Sequence, residues 1–243
     1  MNSQSMIPAM EKPSIGIVIP SFNESKNLPQ LINDCREVSK LARVSFLIVD
    51  NGSSDDTKQI LEELLPQSAI SSLRIEINVG YGNGIKVGLK SLNQDYLGWM
   101  HADLQTAPNE ILKMSEKILM NGSPELIKGF RKNRPLADRF FTAGMSLYSS
   151  IKLRCLIRDA NGQPTIMSRS LYDSWKNIPD DFSIDISCLH TAISVKANIH
   201  RVETNFGPRQ YGNSSWNTGI LSRLKLIKRT IKFVNELARE IAK

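Results

Sequence analysis

The apolar residues of this chain follow two patterns that alternate over roughly its first half. Continuous apolar runs rich in β-branched residues predict buried strands at 15–20, 45–50, 73–77 and 96–100. Apolar residues spaced three and four apart predict helices between these runs, in LPQLINDCREVSKLA, TKQILEELL, IKVGLKSL and PNEILKMSEKILMNG. This alternation is typical of an α/β fold with a mostly parallel sheet and helices on both faces.

The pattern is less regular beyond residue 130. A basic loop, RKNRPLADR, precedes a predicted helix near 138–153, and the segment RDANGQPTIMSRS has no clear element. A further helix is predicted near 183–196 and a strand near 198–204. We therefore expect one α/β domain over 14–218, after a loose leader (1–13) and before a C-terminal helix (219–243).

Composition narrows the class of protein. The 243 residues are 41% hydrophobic and 23% charged, which is ordinary for a globular domain and argues against disorder of the whole chain. The three cysteines are widely spaced and form no CxxC, so neither a disulfide framework nor a zinc site is supported, and a reducing cytosol is expected. The leader lacks the pattern of a signal peptide, and no run approaches the roughly 18 apolar residues of a membrane span.

The net charge of +7 is concentrated at the C-terminus. From Arg223 to Lys243 there are seven basic and two acidic residues, so the rest of the chain is near neutral. This indicates a basic tail and not a generally nucleic-acid-binding surface, and the tail lacks aromatic residues at a spacing suited to base stacking. We therefore expect no nucleic-acid partner.

Polar residues end each of the four predicted strands. Because ligands bind at the carboxyl ends of such strands, we expect these residues to lie along one rim. Asp103 and Gln105, two apart on an extended segment, would point the same way and offer oxygen ligands to Mg²⁺ or Mn²⁺, although a strand ending in a polar loop is an equal alternative. Asp50, which precedes Asn51-Gly52, could accept hydrogen bonds from the base or ribose of a nucleotide. Taken alone, however, this stretch is better interpreted as a turn with Asp55 or Asp56 as a helix N-cap.

Four stretches in this order carry a family resemblance: P-S-F-N-E, V-D-N-G-S-S-D, N-V-G-Y-G-N-G and H-A-D-L-Q. Together they resemble family 2 glycosyltransferases with the GT-A fold, most closely the dolichyl-phosphate mannose synthase branch of polyprenyl-phosphate glycosyltransferases. The resemblance covers about residues 14–215, and D-L-Q-x-x-P is its most specific segment. It implies metal-dependent transfer of a sugar, usually with inversion, from a nucleotide sugar to an undecaprenyl- or dolichyl-type phosphate.

The same resemblance assigns roles by position. Asp103 and Gln105 would be metal ligands for Mg²⁺ or Mn²⁺, with Asp103 also near the donor. Arg209, in an R-x-x-G-x-S element, would close over the donor diphosphate. The nucleotide sugar would further be held by Pro20, Glu24, Asp50, Gly80, Gly84 and His101. Phosphate of donor or acceptor would be bound by Arg131 and Arg139, and Asp159 would stand ahead of an acceptor-side loop.

His101 departs from the family pattern, which usually has an acid there. It could be a third ligand in a site that prefers Mn²⁺, because imidazole binds Mg²⁺ poorly. It could instead hydrogen-bond phosphate or ribose, which we favour, or the metal site could be impaired.

The chemistry of the acceptor leaves alternatives open. A polyprenyl phosphate is already an anionic nucleophile and needs arginines more than a base. A saccharide hydroxyl on a lipid-linked acceptor would need a base, for which Asp159 or Asp185 are candidates, although a helix N-cap or surface charge is the better interpretation of Asp185. A non-catalytic module that binds nucleotide sugars is a third alternative.

The C-terminal helix has an apolar face beside a basic one. Its recurring apolar residues are Ile220, Leu224, Ile227, Ile231, Val234, Ala238 and Ile241. The helix could pack on the domain, or it could lie on anionic lipid and hold the protein at the cytoplasmic face of a membrane. It could equally form a dimer contact, so a homo-oligomer stays open.

Overall fold

A computed structural model describes residues 12–66, 70–120, 124–132, 136–209, 211 and 220–241. Within these ranges the side chains of residues 120, 132, 136–141, 220, 221, 223, 226 and 241 are not described. The described residues form one seven-stranded sheet with the strand order β3-β2-β1-β4-β6-β5-β7. The strands are β1 (Ile15–Ser21), β2 (Val44–Asn51), β3 (Ile70–Ile75), β4 (Tyr96–Trp99), β5 (Leu126–Lys132), β6 (Thr165–Ser168) and β7 (Ile199–Asn205).

Eight helices connect the strands in the described part of the chain. They are α1 (Leu28–Leu41), α2 (Thr57–Leu64), α3 (Tyr81–Lys90), α4 (Glu110–Met120), α5 (Leu136–Leu153), α6 (Arg169–Ser174), α7 (Ile184–Ser194) and α8 (Ile220–Ile241). The first four strands run parallel, and β5 is parallel to β7. The prediction of a mostly parallel sheet with helices between its strands is confirmed.

β1 shows why a central strand of this sheet is a continuous apolar run. It pairs with β2 on one side and β4 on the other, so it lies inside the sheet. Ile17 and Ile19 enter one apolar cluster with α1 and α4, whereas Val18 enters a second cluster with α3 and α7 on the opposite face. A strand covered on both faces favours a continuous apolar run.

The segment without a predicted element contains β6 and the start of α6. β6 is only four residues long and lies antiparallel between β4 and β5, whose residues are distant in sequence. Its pairing depends on these tertiary neighbours, so local pattern gave no signal for it. Arg131, which begins the predicted basic loop RKNRPLADR, lies within β5.

The apolar face of α8 packs on the domain. Val234 is fully buried, and Phe233, Leu237 and Ala238 pack against the same apolar cluster as α3 and α7. The hydroxyl of Tyr148 in α5 donates a hydrogen bond to Asn235 Oδ1 at 2.9 Å. The apolar face of α8 therefore follows the first alternative considered for this helix, which is packing on the domain.

No helix in the described ranges combines the length and the apolar character that crossing a membrane requires.

Candidate active site

A cavity of about 540 Å³ lies at the carboxyl edge of the sheet. Its wall is built from residues at or after the ends of β1, β2, β4, β5 and β7, from the loop before α3 and the start of that helix, from the turn before α7 and from α8. They are Pro20, Ser21, Phe22, Glu24, Asn51, Asn78, Val79, Gly80, Tyr81, His101, Ala102, Asp103, Gln105, Arg131, Asp181, Phe182, Phe206, Arg209 and Arg229. All four polar stretches predicted at this edge contribute to the cavity.

Asp50 lies behind the cavity wall and not on it. It is 1% exposed; Oδ1 accepts from the backbone N–H of Ser53 at 2.9 Å and Oδ2 accepts from Arg74. Its neighbour Asn51 lines the cavity instead and donates to the carbonyl of Gly80 at 2.9 Å. Asp50 therefore shapes the turn after β2, and a direct contact with the donor stays a prediction.

The glycine-rich loop between β3 and α3 is packed tightly against the turn before α7. Gly80 has φ +146°, and a Cβ at this position would stand 2.1 Å from the carbonyl oxygen of Asp180. Gly80 lines the cavity, whereas Gly84 lies behind it against Pro20 and Asn51. The loop brings backbone to the cavity at a place where a side chain would not fit.

Asp103 and Gln105 do not lie on an extended segment. β4 ends at Trp99, and Leu104 adopts a left-handed conformation with φ +58°. Asp103 Oδ1 accepts from the backbone N–H of Gln105 at 3.1 Å, which closes a bend. The reason given from sequence for their common direction is therefore wrong, but the bend still places both side chains on the cavity wall.

His101 belongs to a stack of rings. It stacks on Tyr81 with ring centroids 5.4 Å apart, and Tyr81 stacks on Phe182 at 4.4 Å. Both partners also line the cavity. This stack orients the imidazole in the wall, and the three roles considered for His101 all remain predictions.

Arg209 joins two strand ends that are far apart in sequence. Its guanidinium donates to the carboxylate of Glu24 and lies 3.7 Å from Asp103 Oδ2. Burial raises the pKa of Glu24, and the neighbouring Arg209 opposes that rise. The Gly and Ser of the R-x-x-G-x-S element lie outside the described residues.

Arg131 is held in place by two neighbours. It donates to Asp159 Oδ1 at 2.6 Å, and its guanidinium lies 5.6 Å from the centre of the Phe206 ring. Asp159 is absent from the cavity lining, so within the described structure it positions Arg131. The side chain of Arg139 lies outside the described residues, and its predicted role is not addressed.

Asp185 is neither an N-cap nor a surface charge, contrary to expectation. It is 2% exposed in the first turn of α7, and its Oδ1 lies 3.5 Å from Nζ of Lys128, which is fully buried. Gln163 donates to the same oxygen at 3.1 Å, and Lys128 donates to Thr165 at 2.7 Å. Sequence gave no signal for this pair because its partners lie on β5 and α7, far apart in the chain.

Several polar atoms in the cavity wall have no hydrogen-bond partner among the described residues. They are Ser21 Oγ, Asn51 Oδ1, Arg131 Nε and Arg209 Nε. Leaving a buried polar group without a partner is costly. An anionic ligand that draws the two arginines towards it would supply acceptors for their N–H groups.

The oxygen-bearing side chains of the cavity could bind a divalent cation whose remaining ligands come from a bound substrate. Gln105 donates through Nε2 to the carbonyl of Gly207 at 3.2 Å, so its amide oxygen is the metal-ligand candidate beside the Asp103 carboxylate. In the described part of the chain no three His, Cys, Asp or Glu side chains are gathered as a metal cage. Mg²⁺ is commonly bound by one or two carboxylates together with substrate phosphates, which is the arrangement these residues could support.

Arg229 was missed as a cavity residue. Sequence placed it within the basic face of the C-terminal helix, but the packing of α8 brings it to the cavity wall. Nothing in the local pattern distinguishes it from the neighbouring Lys228.

Comparisons with known proteins agree with this architecture. Residues 16–163, more than half of the chain, match the family model described as "Glycosyl transferase family 2". An undecaprenyl-phosphate 4-deoxy-4-formamido-L-arabinose transferase of Enterobacter sp. (strain 638) is 33% identical over 211 residues, covering 81% of this chain and 62% of that protein. An uncharacterized protein of Methanocaldococcus jannaschii is 34% identical over 121 residues, covering 47% of this chain and 51% of that protein. The chain thus spans less than two thirds of the length of these curated relatives.

Solved structures share the fold at low sequence identity. Glucosyl-3-phosphoglycerate synthase from Mycobacterium tuberculosis, in complex with Mn²⁺, UDP and glucosyl-3-phosphoglycerate, has a TM-score of 0.71 at 18% identity. The match covers 93% of this chain and 80% of that one. The same enzyme has also been solved with Mn²⁺, UDP-glucose and phosphoglyceric acid, again with a TM-score of 0.71. These likenesses show that the chain has the GT-A fold.

Proposed function

The chain belongs to glycosyl transferase family 2, and we propose that it transfers a sugar from a nucleotide sugar to a polyprenyl phosphate. The observation that carries this proposal is the composition of the cavity wall, which contains Asp103 and Gln105 together with Arg131 and Arg209. Oxygen ligands suit a cation and guanidinium groups suit phosphate, so the cavity has complementary groups for a nucleotide diphosphate and a second anion.

The donor would lie along the ends of β1, β2 and β4. Asn51 and the Gly80 backbone form the wall on the β2 side, and Asp103 with Gln105 would hold a divalent cation, Mg²⁺ or Mn²⁺, on the β4 side. When bound, such an ion neutralises charge on the leaving diphosphate. Arg209, which already bridges Glu24 and Asp103, would close over the diphosphate.

The acceptor is best supported as a phosphate. A phosphate oxygen would attack the anomeric carbon from the face opposite the diphosphate, the bond from that carbon to the diphosphate oxygen would break, and the electron pair would leave with the nucleoside diphosphate. This inverts the anomeric centre and requires no proton transfer. The relatives named for undecaprenyl phosphate support this acceptor class.

A hydroxyl acceptor is less well supported because the proposed bases do not reach the cavity wall. Asp159 is engaged by Arg131, and Asp185 is buried beside Lys128. Asp181 does line the cavity, but one of its oxygens accepts from the backbone N–H and hydroxyl of Ser183.

A membrane surface is the proposed location of the acceptor. Because the apolar face of α8 is used for packing, contact with lipid would rest on its exposed side chains Lys225, Lys228 and Lys232. On α5, Leu147 and Ile151 are 63% and 67% exposed, one helical turn apart. A protein surface that exposes both basic and apolar groups suits an anionic lipid surface.

The lipid contact is tested by sedimenting the full chain with vesicles of phosphatidylglycerol and phosphatidylcholine at low and high salt. Reversing Lys225, Lys228 and Lys232 to Glu should abolish salt-sensitive binding, whereas Lys58→Glu on α2, an exposed control, should not. Arg229 is left intact because it lines the cavity. Vesicle binding that is unchanged by salt and by charge reversal would contradict the proposed lipid contact.

The transfer itself is tested with purified full-length chain, Mn²⁺ or Mg²⁺, a panel of nucleotide sugars and undecaprenyl phosphate. Release of nucleoside diphosphate that requires the lipid phosphate would support the proposal and identify the donor. Release only with a lipid-linked saccharide would assign the hydroxyl-acceptor reaction instead. Binding of the donor without release of nucleoside diphosphate on either acceptor would indicate a non-catalytic module that binds nucleotide sugars.

A further inference from the structure

One cationic residue of the cavity has no part in the function proposed so far. Arg229 lines the cavity, yet it lies on α8, well beyond the residues 16–163 that match the family model. The C-terminal helix therefore contributes a wall to the site as well as a packed face.

The helix holds Arg229 in a defined place. Five residues further along α8, Val234 is fully buried in the apolar cluster, and Asn235 accepts the Tyr148 hydroxyl at 2.9 Å. Thr230, the next residue, lines a small cavity of about 50 Å³ together with α5 residues and with Phe182, which borders both cavities. Arg229 is thus presented to the cavity from an anchored backbone.

The position of α8 points to the acceptor side of the cavity. Arg131 stands near the end of β5, α5 begins shortly after it, and α8 packs on α5. Arg209 lies beside Asp103 and Glu24, where the donor diphosphate is proposed. A second anion near Arg131 would also gain from another cation, because Arg131 already shares its charge with Asp159.

We propose that Arg229 binds the phosphate of the prenyl phosphate acceptor together with Arg131, so that the C-terminal helix completes the acceptor site. This rests on the proposed function. Lys225 and Lys228 on the same helix are exposed and do not line the cavity. The helix would then connect the basic outer surface with the cavity.

The test uses the full chain and farnesyl phosphate, a short prenyl phosphate that needs no membrane. Its dissociation constant is measured by calorimetry for wild type, Arg229→Gln, Arg229→Lys and the matched control Lys228→Gln. Arg229→Gln should weaken binding by about 10-fold or more, since hydrogen bonds to charged groups are among the stronger ones, and Arg229→Lys should recover part of the loss. Lys228→Gln should leave the dissociation constant unchanged, and the affinity for UDP or GDP with Mn²⁺ should not change in any variant.

Three results would overturn the assignment. They are equal binding of farnesyl phosphate by Arg229→Gln and Lys228→Gln, no binding by wild type, or a parallel loss of nucleotide affinity in Arg229→Gln, which would place Arg229 on the donor. Failure of the proposed function has a different signature, because wild type would bind farnesyl phosphate in an Arg229-dependent way but release no nucleoside diphosphate with undecaprenyl phosphate.

Discussion

The guanidinium of Arg209 donates to the carboxylate of Glu24 and lies 3.7 Å from that of Asp103. Glu24 follows the first strand, Asp103 the fourth and Arg209 the last. One side chain thus ties together three loops at the carboxyl edge of the sheet, across 185 residues of sequence. This places a cation beside the proposed metal ligand, where a diphosphate would need it.

Replacing Arg209 tests this tie. Arg209→Gln should lower kcat/KM for the donor by roughly 10- to 100-fold, because hydrogen bonds to charged groups contribute about 1.5–3 kcal/mol. The measurement is steady-state release of nucleoside diphosphate. Arg36→Gln, on α1 and hydrogen-bonded to the carbonyl of Leu64, is the matched control and should retain activity. Equal activity of both variants would remove Arg209 from the donor site.

Asp103 should govern the metal-dependent binding of nucleotide. Asp103→Asn keeps the shape of the side chain and removes its charge, so Mn²⁺-dependent affinity for nucleoside diphosphate should fall by about 100-fold or more. The shift in Tm on adding Mn²⁺ and nucleotide reports this affinity. Asp173→Asn, an exposed change on α6, should give the wild-type shift. A full shift in Asp103→Asn would contradict the assignment of Asp103 as a ligand.

Gly80 should tolerate no side chain. Gly80→Ala places a Cβ 2.1 Å from a backbone oxygen at φ +146°, so we expect the free energy of unfolding to fall by about 1–3 kcal/mol, with weaker donor binding. Urea denaturation measures the first effect. Gly144→Ala in α5, where a Cβ meets nothing within 4 Å, should instead stabilise the protein by roughly 0.5–1 kcal/mol. Equal effects of the two substitutions would show that the loop rearranges freely.

Asp185 should give a defined pH dependence of stability. Burial raises its pKa above 3.8, with Lys128 opposing the rise, so the folded protein keeps this proton at a pH where the unfolded chain has lost it. The stability contributed by Asp185 should therefore decrease as pH rises from 3.8 through the raised pKa and then level off. The difference in unfolding free energy between wild type and Asp185→Asn, from urea denaturation at a series of pH values, measures this term. The difference in unfolding free energy between wild type and the exposed control Asp173→Asn should show no such decrease. A difference for Asp185→Asn that stays constant with pH would contradict the prediction.

The sequence determined the elements of roughly the first half of the chain and the edge of the sheet at which the candidate site lies. Apolar runs such as 15–20 could only be satisfied in strands covered on both faces, and the polar residues after them had to emerge at the carboxyl edge. The residues that the family resemblance assigns to the site include Asp103, Gln105, Arg131 and Arg209, and these line the cavity because they lie at or after the ends of strands whose order is fixed by the fold.

Tertiary structure decided what depends on neighbours distant in the chain. The family resemblance assigns Asp50 to the donor, and only the structure shows that it is buried and bonded to Ser53 and Arg74. Asp185 is interpreted from sequence as a helix N-cap or surface charge, but it is buried and pairs with Lys128 on β5. Arg229 and Lys228 are adjacent in sequence and equal in charge, yet only Arg229 lines the cavity. Periodicity shows which face of α8 is apolar, but only packing on α5 sets which basic residue faces the site.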